Sequence, residues 1–367
     1  MTDSLTLLQN NMADLTDIAG RFDLVGRVAE VKPLGEGFIN DTYVVTTDRA
    51  CRYILQRKNK VVFPNVPAMM DNIAAVTDHI KRKVTDPKRE TLTVIPAKDG
   101  KLYYQDPEEE FWAVCLFIED TVTYDVASTP EMARQGGIGI GRFQSLLADF
   151  DKPLTEVIKG FHNIRWRFTQ WDASLAADKA GRLAEVSQEI AFVEERRAQM
   201  LSFWKMVEDG VLPLRVTHND TKLSNILFDK SSGEVLCAID LDTVMSSTSL
   251  NDVGDAIRSY ANATVEDDPD YDKVALRLDM YEAYMDGYLS QRRDTLADSE
   301  KEWLAFAPLY ITYEQVLRFL MDYIDGDIYY KIRYPEHNLV RTRSQIALLR
   351  SMEYHYPEMQ RIVGKLL

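Results

Sequence analysis

A short segment in the second half of the chain carries four chemically active side chains at fixed spacing. His218, Asp220, Lys222 and Asn225 follow one another closely, and the apolar run that comes next ends at a further acid, Asp240. A polar turn between two strands also uses Asp and Asn to cap backbone groups. Such a turn has no need of His and Lys at fixed offsets or of a second acid after a buried strand. The segment therefore predicts a catalytic loop followed by a strand.

The residue types in this segment match the requirements of phosphoryl transfer from ATP. That reaction needs a carboxylate facing the accepting hydroxyl, an amide and an acid that hold magnesium, and charge stabilisation of the transferring group. We expect Asp220 to be the base and Lys222 to lie against the phosphoryl group. Asn225 and Asp240 are the expected Mg²⁺ ligands. Asp242 lies on the same face of an extended strand as Asp240 and is expected to join them.

Length and composition limit the classes of protein that are possible. The chain has 367 residues, of which 46% are hydrophobic and 28% charged, as expected for a folded protein of two domains. The sequence has no apolar run of membrane-spanning length and no basic start of a secretory signal, so we expect a cytoplasmic protein without membrane contact. Its three cysteines lie in apolar runs and predict neither disulfides nor a metal site.

The net charge argues against nucleic acid as a partner. Forty-three basic and 58 acidic side chains give a formal charge of -15, which repels polyanions over most of the surface. Because ATP is also an anion, magnesium and a few cations such as Lys222 must reverse the charge locally.

The first third of the chain has the pattern of a small lobe with a sheet. Helix-like spacing over residues 5–22 precedes strand-like runs, and a proline opens a predicted helix over residues 67–84. The predicted strands cover residues 25–31, 43–55, 91–95, 101–104 and 111–118.

Three features of this lobe point to nucleotide binding. Gly35 and Gly37 form a turn between two strands that lets backbone N–H groups approach phosphates. Phe117, Ile118 and Glu119 belong to an expected hinge at about residues 117–122, where backbone groups of an extended segment would bind adenine. The hinge divides an N-terminal nucleotide-binding lobe, residues 1–118, from a C-terminal catalytic and substrate-binding lobe, residues 119–367.

The second lobe is predicted to be mainly helical. A glycine-rich stretch at residues 136–141 does not fit a dinucleotide-binding loop and follows no strand, so it indicates close packing of helices. The predicted helices cover residues 131–150, 183–207, 252–263, 271–292, 300–324 and 340–355.

Beyond the catalytic loop, the sequence resembles the aminoglycoside phosphotransferase and choline kinase-like superfamily over nearly its whole length. Within that superfamily it is most similar to bacterial N-acetylhexosamine 1-kinases, and the C-terminal segment is the more specific part of the resemblance. The matching segments are residues 53–56, 215–223, 239–244, 252–258, 326–329 and 334–343.

The resemblance implies a bilobal protein-kinase-like α+β fold, with an antiparallel sheet in the small lobe and a larger helical lobe. It also implies ATP and Mg²⁺ as cofactors and transfer to the anomeric hydroxyl of GlcNAc or GalNAc. Besides Asp220, Arg318 and Tyr329 would contact the sugar. A neutral acceptor rich in hydroxyls needs directional donors and a pocket wall. We expect a monomer or a weak homodimer.

The sequence departs from the superfamily on its third strand. Gln56 occupies a position that many members fill with Lys or Arg, and we assign Gln56 to the nucleotide site. It stays open whether Arg57 or Lys58 supplies the cation or whether magnesium and the glycine turn contact the phosphates instead. The acceptor also stays open, because an aminoglycoside, choline or homoserine fits the same catalytic loop. The alternative from another class is a silent nucleotide-binding protein.

Overall fold

The computed structural model describes residues 15–35 and 39–367, and these form two compact units. The first unit contains the described residues up to Thr121 together with Phe150–Ile158 and Ile239–Met245. The second unit contains Val122–Asp149, Lys159–Ala238 and Ser246–Leu367.

The first unit is built on an antiparallel sheet with one flanking helix, α1 (Val66–Lys81). The strands are β1 (Val28–Pro33), β2 (Asp41–Thr47), β3 (Arg52–Lys58), β4 (Val94–Ile95), β5 (Tyr104–Gln105) and β6 (Phe111–Leu116). Their order is β1-β2-β3-β6-β4, with β5 also paired to β6, and every pairing is antiparallel.

Alternation along the central strands places apolar side chains on one face of this sheet. Val45 on β2 pairs with Tyr53 on β3, and Leu55 pairs with Val114 on β6. All four are at most 2% exposed and form one buried cluster with Trp112. The period of two that defines strands in the sequence therefore defines the core of this unit.

The second unit is mainly helical. Its helices are α2 (Pro130–Leu146), α3 (Ile164–Ala177), α4 (Ser187–Glu208), α5 (Ser249–Tyr260), α6 (Leu278–Arg292), α7 (Asp298–Trp303), α8 (Ala307–Asp325) and α9 (His337–Leu366). It also contains β8 (Arg215–Thr217), β9 (Ile226–Asp229) and β10 (Val235–Ala238), while β7 (Thr121–Val122) and β11 (Met245–Ser247) lie where the chain passes between the units.

Most predicted elements exist, but several of their bounds were wrong. Residues 43–55 form two strands, because the chain turns at Ala50, whose φ is +57°. The helix predicted from residue 271 begins at Leu278, and the one predicted over residues 300–324 is divided into α7 and α8. Pro308 lies in the first turn of α8, where proline fits a helix start. The helix predicted over residues 5–22 lies largely outside the described residues, which are helical at 15–19.

Helix α3 was not predicted, although its signals are present in the sequence. Asn163 caps it by accepting a hydrogen bond from the Trp166 amide at 3.0 Å. Ile164, Phe168 and Trp171 are buried at helical spacing, but polar residues interrupt this stripe, and among them Arg167 is also buried. Because a buried arginine breaks the contrast between polar and apolar faces, the stripe was missed.

Two compositional expectations concern the whole chain. The cysteines Cys51, Cys115 and Cys237 are free thiols, as predicted. Among the described residues, no helix has both the length and the apolar character needed to cross a membrane.

The glycine-rich stretch lies in α2, which packs closely on α6 and so confirms the helix-packing interpretation. A Cβ atom added at Gly137 would lie 2.2 Å from the Tyr284 carbonyl oxygen, and one at Gly287 would lie 2.0 Å from the Arg134 carbonyl oxygen. Both distances are shorter than a van der Waals contact. The contacted atoms belong to the backbone of a helix, which cannot move aside. Glycine is therefore required on both helices.

We expect Gly137→Ala to lower the free energy of unfolding by about 1–3 kcal/mol, because the added methyl group overpacks a rigid backbone contact. Urea unfolding followed by circular dichroism measures the change. Gly364→Ala in α9 is the matched control: nothing lies within 4 Å of a Cβ atom added there, so this helical substitution should be neutral or stabilising. Equal unfolding midpoints for the two variants would contradict the packing argument.

Candidate active site

The predicted catalytic residues of the second unit come together around one carboxylate. Lys222 Nζ lies 2.9 Å from Asp220 Oδ2. Asn225 Nδ2 donates to the same oxygen at 2.9 Å and to the Asp220 backbone carbonyl at 2.9 Å. The loop leaves β8, contains these residues and continues through a short 3-10 turn, Leu223–Asn225, into β9.

These neighbours keep Asp220 ionised. Burial alone would raise the pKa of this carboxyl, but Lys222 and, to a smaller degree, His218 and Asn225 outweigh burial and lower the pKa below its ordinary value. At neutral pH the side chain is therefore a carboxylate that can accept a hydrogen bond from a hydroxyl group. His218 also braces the loop, since the Asp220 amide donates to its Nδ1 at 3.3 Å.

Helix α5 holds the loop through two acidic residues. Asp252 accepts hydrogen bonds from the consecutive amides of His218, at 3.0 Å, and Asn219, at 2.7 Å. Asp255 accepts from the Thr221 amide at 2.7 Å. These bonds satisfy buried amides in a stretch of chain that belongs to neither a helix nor a sheet, so they define the backbone path on both sides of the catalytic carboxylate.

In the first unit, β3 supplies a buried cation. Lys58 is 3% exposed, and its Nζ lies 2.7 Å and 2.9 Å from the two carboxylate oxygens of Asp242, which is 4% exposed. Asn40 Nδ2 also donates to Asp242 at 2.7 Å. Of the two cations left open on this strand, Lys58 is the buried one.

Gln56 and Arg57 differ from Lys58 in their contacts. The Gln56 side-chain oxygen accepts a hydrogen bond from Lys58 Nζ at 2.7 Å, so this amide orients the lysine. Arg57 points to the opposite face of the strand and pairs with Asp41 at the surface. Strand alternation was the signal that could have selected Lys58, because residues 56 and 58 share one face.

The remaining predicted nucleotide-site residues lie in the first unit. Gly35 has a φ of +65°, while Gly37 lies outside the described residues. In the predicted hinge, Phe117 N–H donates to the Arg52 carbonyl at 3.1 Å, and Arg52 Nε donates to Glu119 at 2.9 Å. The Ile118 carbonyl accepts from the Thr121 hydroxyl at 2.8 Å. The hinge backbone is therefore well anchored.

Asp240 lies two residues after the end of β10 and has a φ of +58°, in the left-handed region. Leu241–Thr243 then form a 3-10 turn, so the expectation of an extended strand that carries both Asp240 and Asp242 was wrong. Carboxylate and amide oxygens, such as those of Asp240 and Asn225, are the donors that Mg²⁺ prefers. Among the described residues, no group of three His, Cys, Asp or Glu side chains could hold a metal. A magnesium ion that binds with a nucleotide usually takes its remaining ligands from phosphate oxygens and water.

Arg318 and Tyr329, the predicted sugar contacts, lie in one aromatic cluster of the second unit. The Arg318 guanidinium carbon is 5.8 Å from the Tyr329 ring centroid, 5.5 Å from that of Tyr330 and 5.6 Å from that of Phe161. Tyr329 is 59% exposed, so one wall of the cluster faces solvent. We call these four residues the acceptor cluster.

A single buried carboxylate shapes the loop that carries Tyr329. Asp322, which is 3% exposed, accepts hydrogen bonds from the amides of Ile328, Tyr329 and Tyr330 at 3.0, 2.8 and 3.0 Å. Asn338 Nδ2 adds a fourth bond at 2.8 Å. The sequence analysis did not find this anchor, because the loop and α8 are separate elements in the chain.

Comparison with known proteins gives the family. The model of the phosphotransferase enzyme family matches residues 30–292. The chain therefore belongs to that family.

Solved structures show the fold. An aminopropanol kinase associated with a microcompartment superimposes with a TM-score of 0.64 at 17% identity, covering 95% of this chain and 98% of the other. For an aminoglycoside phosphotransferase from Alicyclobacillus acidocaldarius the TM-score is 0.62 at 13% identity, with 95% and 96% covered. An amicoumacin kinase in complex with AMP-PNP, Ca²⁺ and Ami gives 0.58 at 14% identity, with 97% of each chain covered.

These findings confirm the predicted fold class. The protein has the α+β kinase-like fold of small-molecule phosphotransferases, with one unit built on an antiparallel sheet and a larger, mainly helical one. The three kinases act on different acceptors by their names, so the fold alone does not define the acceptor of this chain.

We expect Lys58→Met to destabilise the first unit by about 3–5 kcal/mol, because Asp242 would keep a buried charge without its partner. Thermal and urea unfolding measure this change. Lys60→Met removes an exposed lysine that pairs with Glu110 and should cost less than about 1 kcal/mol. A Lys58→Met protein as stable as the Lys60→Met protein would show that the buried pair is unimportant.

We expect Asp322→Asn to loosen the acceptor-cluster loop, since hydrogen bonds to a charged acceptor contribute about 1.5–3 kcal/mol each. Hydrogen exchange of the amides at residues 328–330 should become about ten- to hundredfold faster, as measured by mass spectrometry. Asp325→Asn, on the same helix, is the control. Unchanged exchange in the Asp322→Asn protein would refute the anchoring role.

Proposed function

We propose that this protein is an ATP-dependent N-acetylhexosamine 1-kinase that phosphorylates the anomeric hydroxyl of GlcNAc or GalNAc. The observation that carries the proposal is the acceptor cluster, in which one guanidinium and three aromatic rings provide donors and apolar walls. A neutral sugar uses both, because its hydroxyls accept directional hydrogen bonds and its ring faces pack on aromatic groups.

The charge of the cluster favours a neutral acceptor over a cationic one. Arg318 is the cation of the cluster, and a choline, aminoglycoside or aminopropanol group placed beside it would meet like charge. Glu314, a carboxylate whose charge acts on Arg318, is 1% exposed and already bound to His162 and Arg167. The other acceptors therefore rank below a hexosamine.

We assign the chemistry to the loop of the second unit. Asp220 orients the acceptor hydroxyl and takes its proton, while Lys222 offsets the negative charge of the transferring phosphoryl group. A loose transition state leaves little covalent chemistry to the protein, so positioning supplies most of the rate. Asn225 and Asp240 would hold Mg²⁺, which neutralises phosphate charge when it is bound.

The nucleotide would be held by the first unit. We assign the phosphates to the Gly35–Gly37 turn and adenine to the backbone at Phe117, Ile118 and Glu119. Lys58, oriented by Gln56, adds a cation to this set, and its partner Asp242 belongs to the predicted metal shell. In this proposal residues 1–118 are the nucleotide-binding lobe and residues 119–367 carry the base and the acceptor contacts.

A silent nucleotide-binding protein is the competing function. The absence of a lysine at position 56 suggested this silent function. Lys58, two positions further along the same strand, is a buried cation. The ionised Asp220 with its lysine and amide partners also supports an active enzyme. We further propose a cytoplasmic monomer or weak homodimer.

We expect Asp220→Asn to lower kcat by about 10²–10⁴-fold, the usual contribution of a positioned base, while the affinity for ATP changes little. A coupled ADP-release assay and fluorescent-nucleotide titration measure the two quantities. Asp229→Asn, at the end of the neighbouring strand β9, is the control. Turnover near that of the unchanged enzyme would overturn the assignment of the base.

We expect Arg318→Met to raise the KM for GlcNAc or GalNAc by about tenfold or more, because a hydrogen bond from a charged donor is lost. The KM for ATP should stay the same. The assay uses both sugars, choline, homoserine and kanamycin. Arg333→Met, in the exposed loop between α8 and α9, is the control. Turnover of kanamycin or choline without turnover of either sugar would reject the hexosamine assignment and keep the kinase.

A further inference from the structure

A buried histidine connects α8 to the catalytic loop. His162 is 7% exposed, and its Nδ1 lies 2.7 Å from Glu314 Oε2 on α8. On the other side of the ring, Nε2 lies 3.2 Å from the backbone carbonyl of Asn219, the residue before the catalytic Asp220.

Both partners of the ring are hydrogen-bond acceptors. The Asn219 carbonyl has no proton to give, so Nε2 must donate to it. Glu314 also accepts a bond from Arg167 Nε at 3.2 Å. Burial disfavours its charge, but His162 and Arg167 outweigh burial and lower the pKa of Glu314 to about 2. Glu314 is therefore a carboxylate, Nδ1 must donate as well, and the two bonds together require an imidazolium ring.

The charges around the ring support that form. Burial by itself would lower the pKa of His162, but Glu314 on α8 and Asp255 on α5 together raise the pKa above its ordinary value of 6.5. Arg318 on α8 opposes this increase, and Arg167 on α3 faces the ring across Glu314. Because the pKa is raised, the charged form is kept to a higher pH than in an ordinary histidine and is lost as the pH rises through that raised pKa.

The contact made by this ring falls at a strained point of the catalytic loop. Asn219 has a φ of +66°, in the left-handed region that non-glycine residues seldom occupy. Its carbonyl belongs to the peptide unit that continues into Asp220, so a bond to that oxygen orients the backbone of the base. Phe161, the residue before His162, lies under the Arg318 guanidinium of the acceptor cluster.

We propose that His162 is a positioning residue for phosphoryl transfer. Its imidazolium, held by Glu314, fixes the Asn219 carbonyl and so the direction of Asp220. Its neighbour Phe161, which contacts Arg318, holds the acceptor cluster in position relative to that base. The proposal rests on Asp220 being the base in the function proposed above, and it does not depend on which acceptor the enzyme uses.

The first test detects the ring directly in the full-length protein without an acceptor. Histidine-selective ¹⁵N labelling gives few ring signals, because the chain has five histidines. The signals lost in His162→Gln identify the residue. At the ordinary histidine pKa of about 6.5, where a free imidazole is half protonated, most of the His162 rings should carry protons on both nitrogens. A neutral ring with one bare nitrogen at that pH would overturn the proposal.

The second test separates positioning from simple stabilisation. In His162→Gln, kcat should fall about ten- to hundredfold, as expected for a misplaced catalytic group, with the KM for ATP within about twofold of the unchanged enzyme. In Glu314→Gln, the alkaline loss of kcat should move to lower pH, because the anion that sustains the imidazolium is gone.

His355→Gln in α9 is the control and should leave kcat and its pH profile unchanged. Urea midpoints of all three variants identify any loss that comes from unfolding. An unchanged kcat in folded His162→Gln, or an alkaline limb in Glu314→Gln identical to that of the original enzyme, would contradict the positioning role. If the original enzyme and all three variants fail to phosphorylate a sugar but phosphorylate another acceptor, the hexosamine assignment is wrong. The same comparison of kcat values is then made with that acceptor.

Discussion

The catalytic loop depends on one buried carboxylate that accepts hydrogen bonds from two consecutive backbone amides. Asp252 on α5 is 0% exposed and binds the amides of His218 and Asn219. In the interior an unpaired amide costs about 1–3 kcal/mol, so these bonds allow an irregular segment to be buried. They also place Asn219 in its left-handed conformation, and the orientation of Asp220 follows from it. Asp220, the proposed base, is thus positioned by other acidic side chains.

A second buried aspartate, Asp322, also accepts hydrogen bonds from successive backbone amides. Asp322 gathers three successive amides of the loop that carries Tyr329, so an anion shapes the exposed wall of the acceptor cluster. Asp242 is instead neutralised by Lys58, and Asp220 by Lys222 with help from Asn225. Acidic residues in this chain therefore make two kinds of contact: some accept hydrogen bonds from loop amides, and others pair with lysine side chains. The net charge of -15 does not distinguish these two groups of acidic residues.

Much of the fold could be predicted, because its elements are local. Strand alternation defined the sheet core, and the small residues of α2 predicted a close helix contact that Gly137 and Gly287 make. The errors occurred where a local pattern was weak, as at α3 with its buried arginine, or where a turn interrupted an apolar run, as at Ala50. The catalytic loop was recognisable because its residues are close in the chain and their chemistry requires fixed offsets.

The sequence by itself determined the family and the fold class and predicted the members of a catalytic loop, since hydrophobic periodicity and a compact motif are encoded over short distances along the chain. Only the tertiary structure decided which distant partners these residues have. It paired Lys58 with Asp242, placed Asp322 under the Tyr329 loop, and put His162 between Glu314 and Asn219. The physical reason is that a buried charge acquires its state from the groups folded against it, and those groups are separated by many positions in the chain.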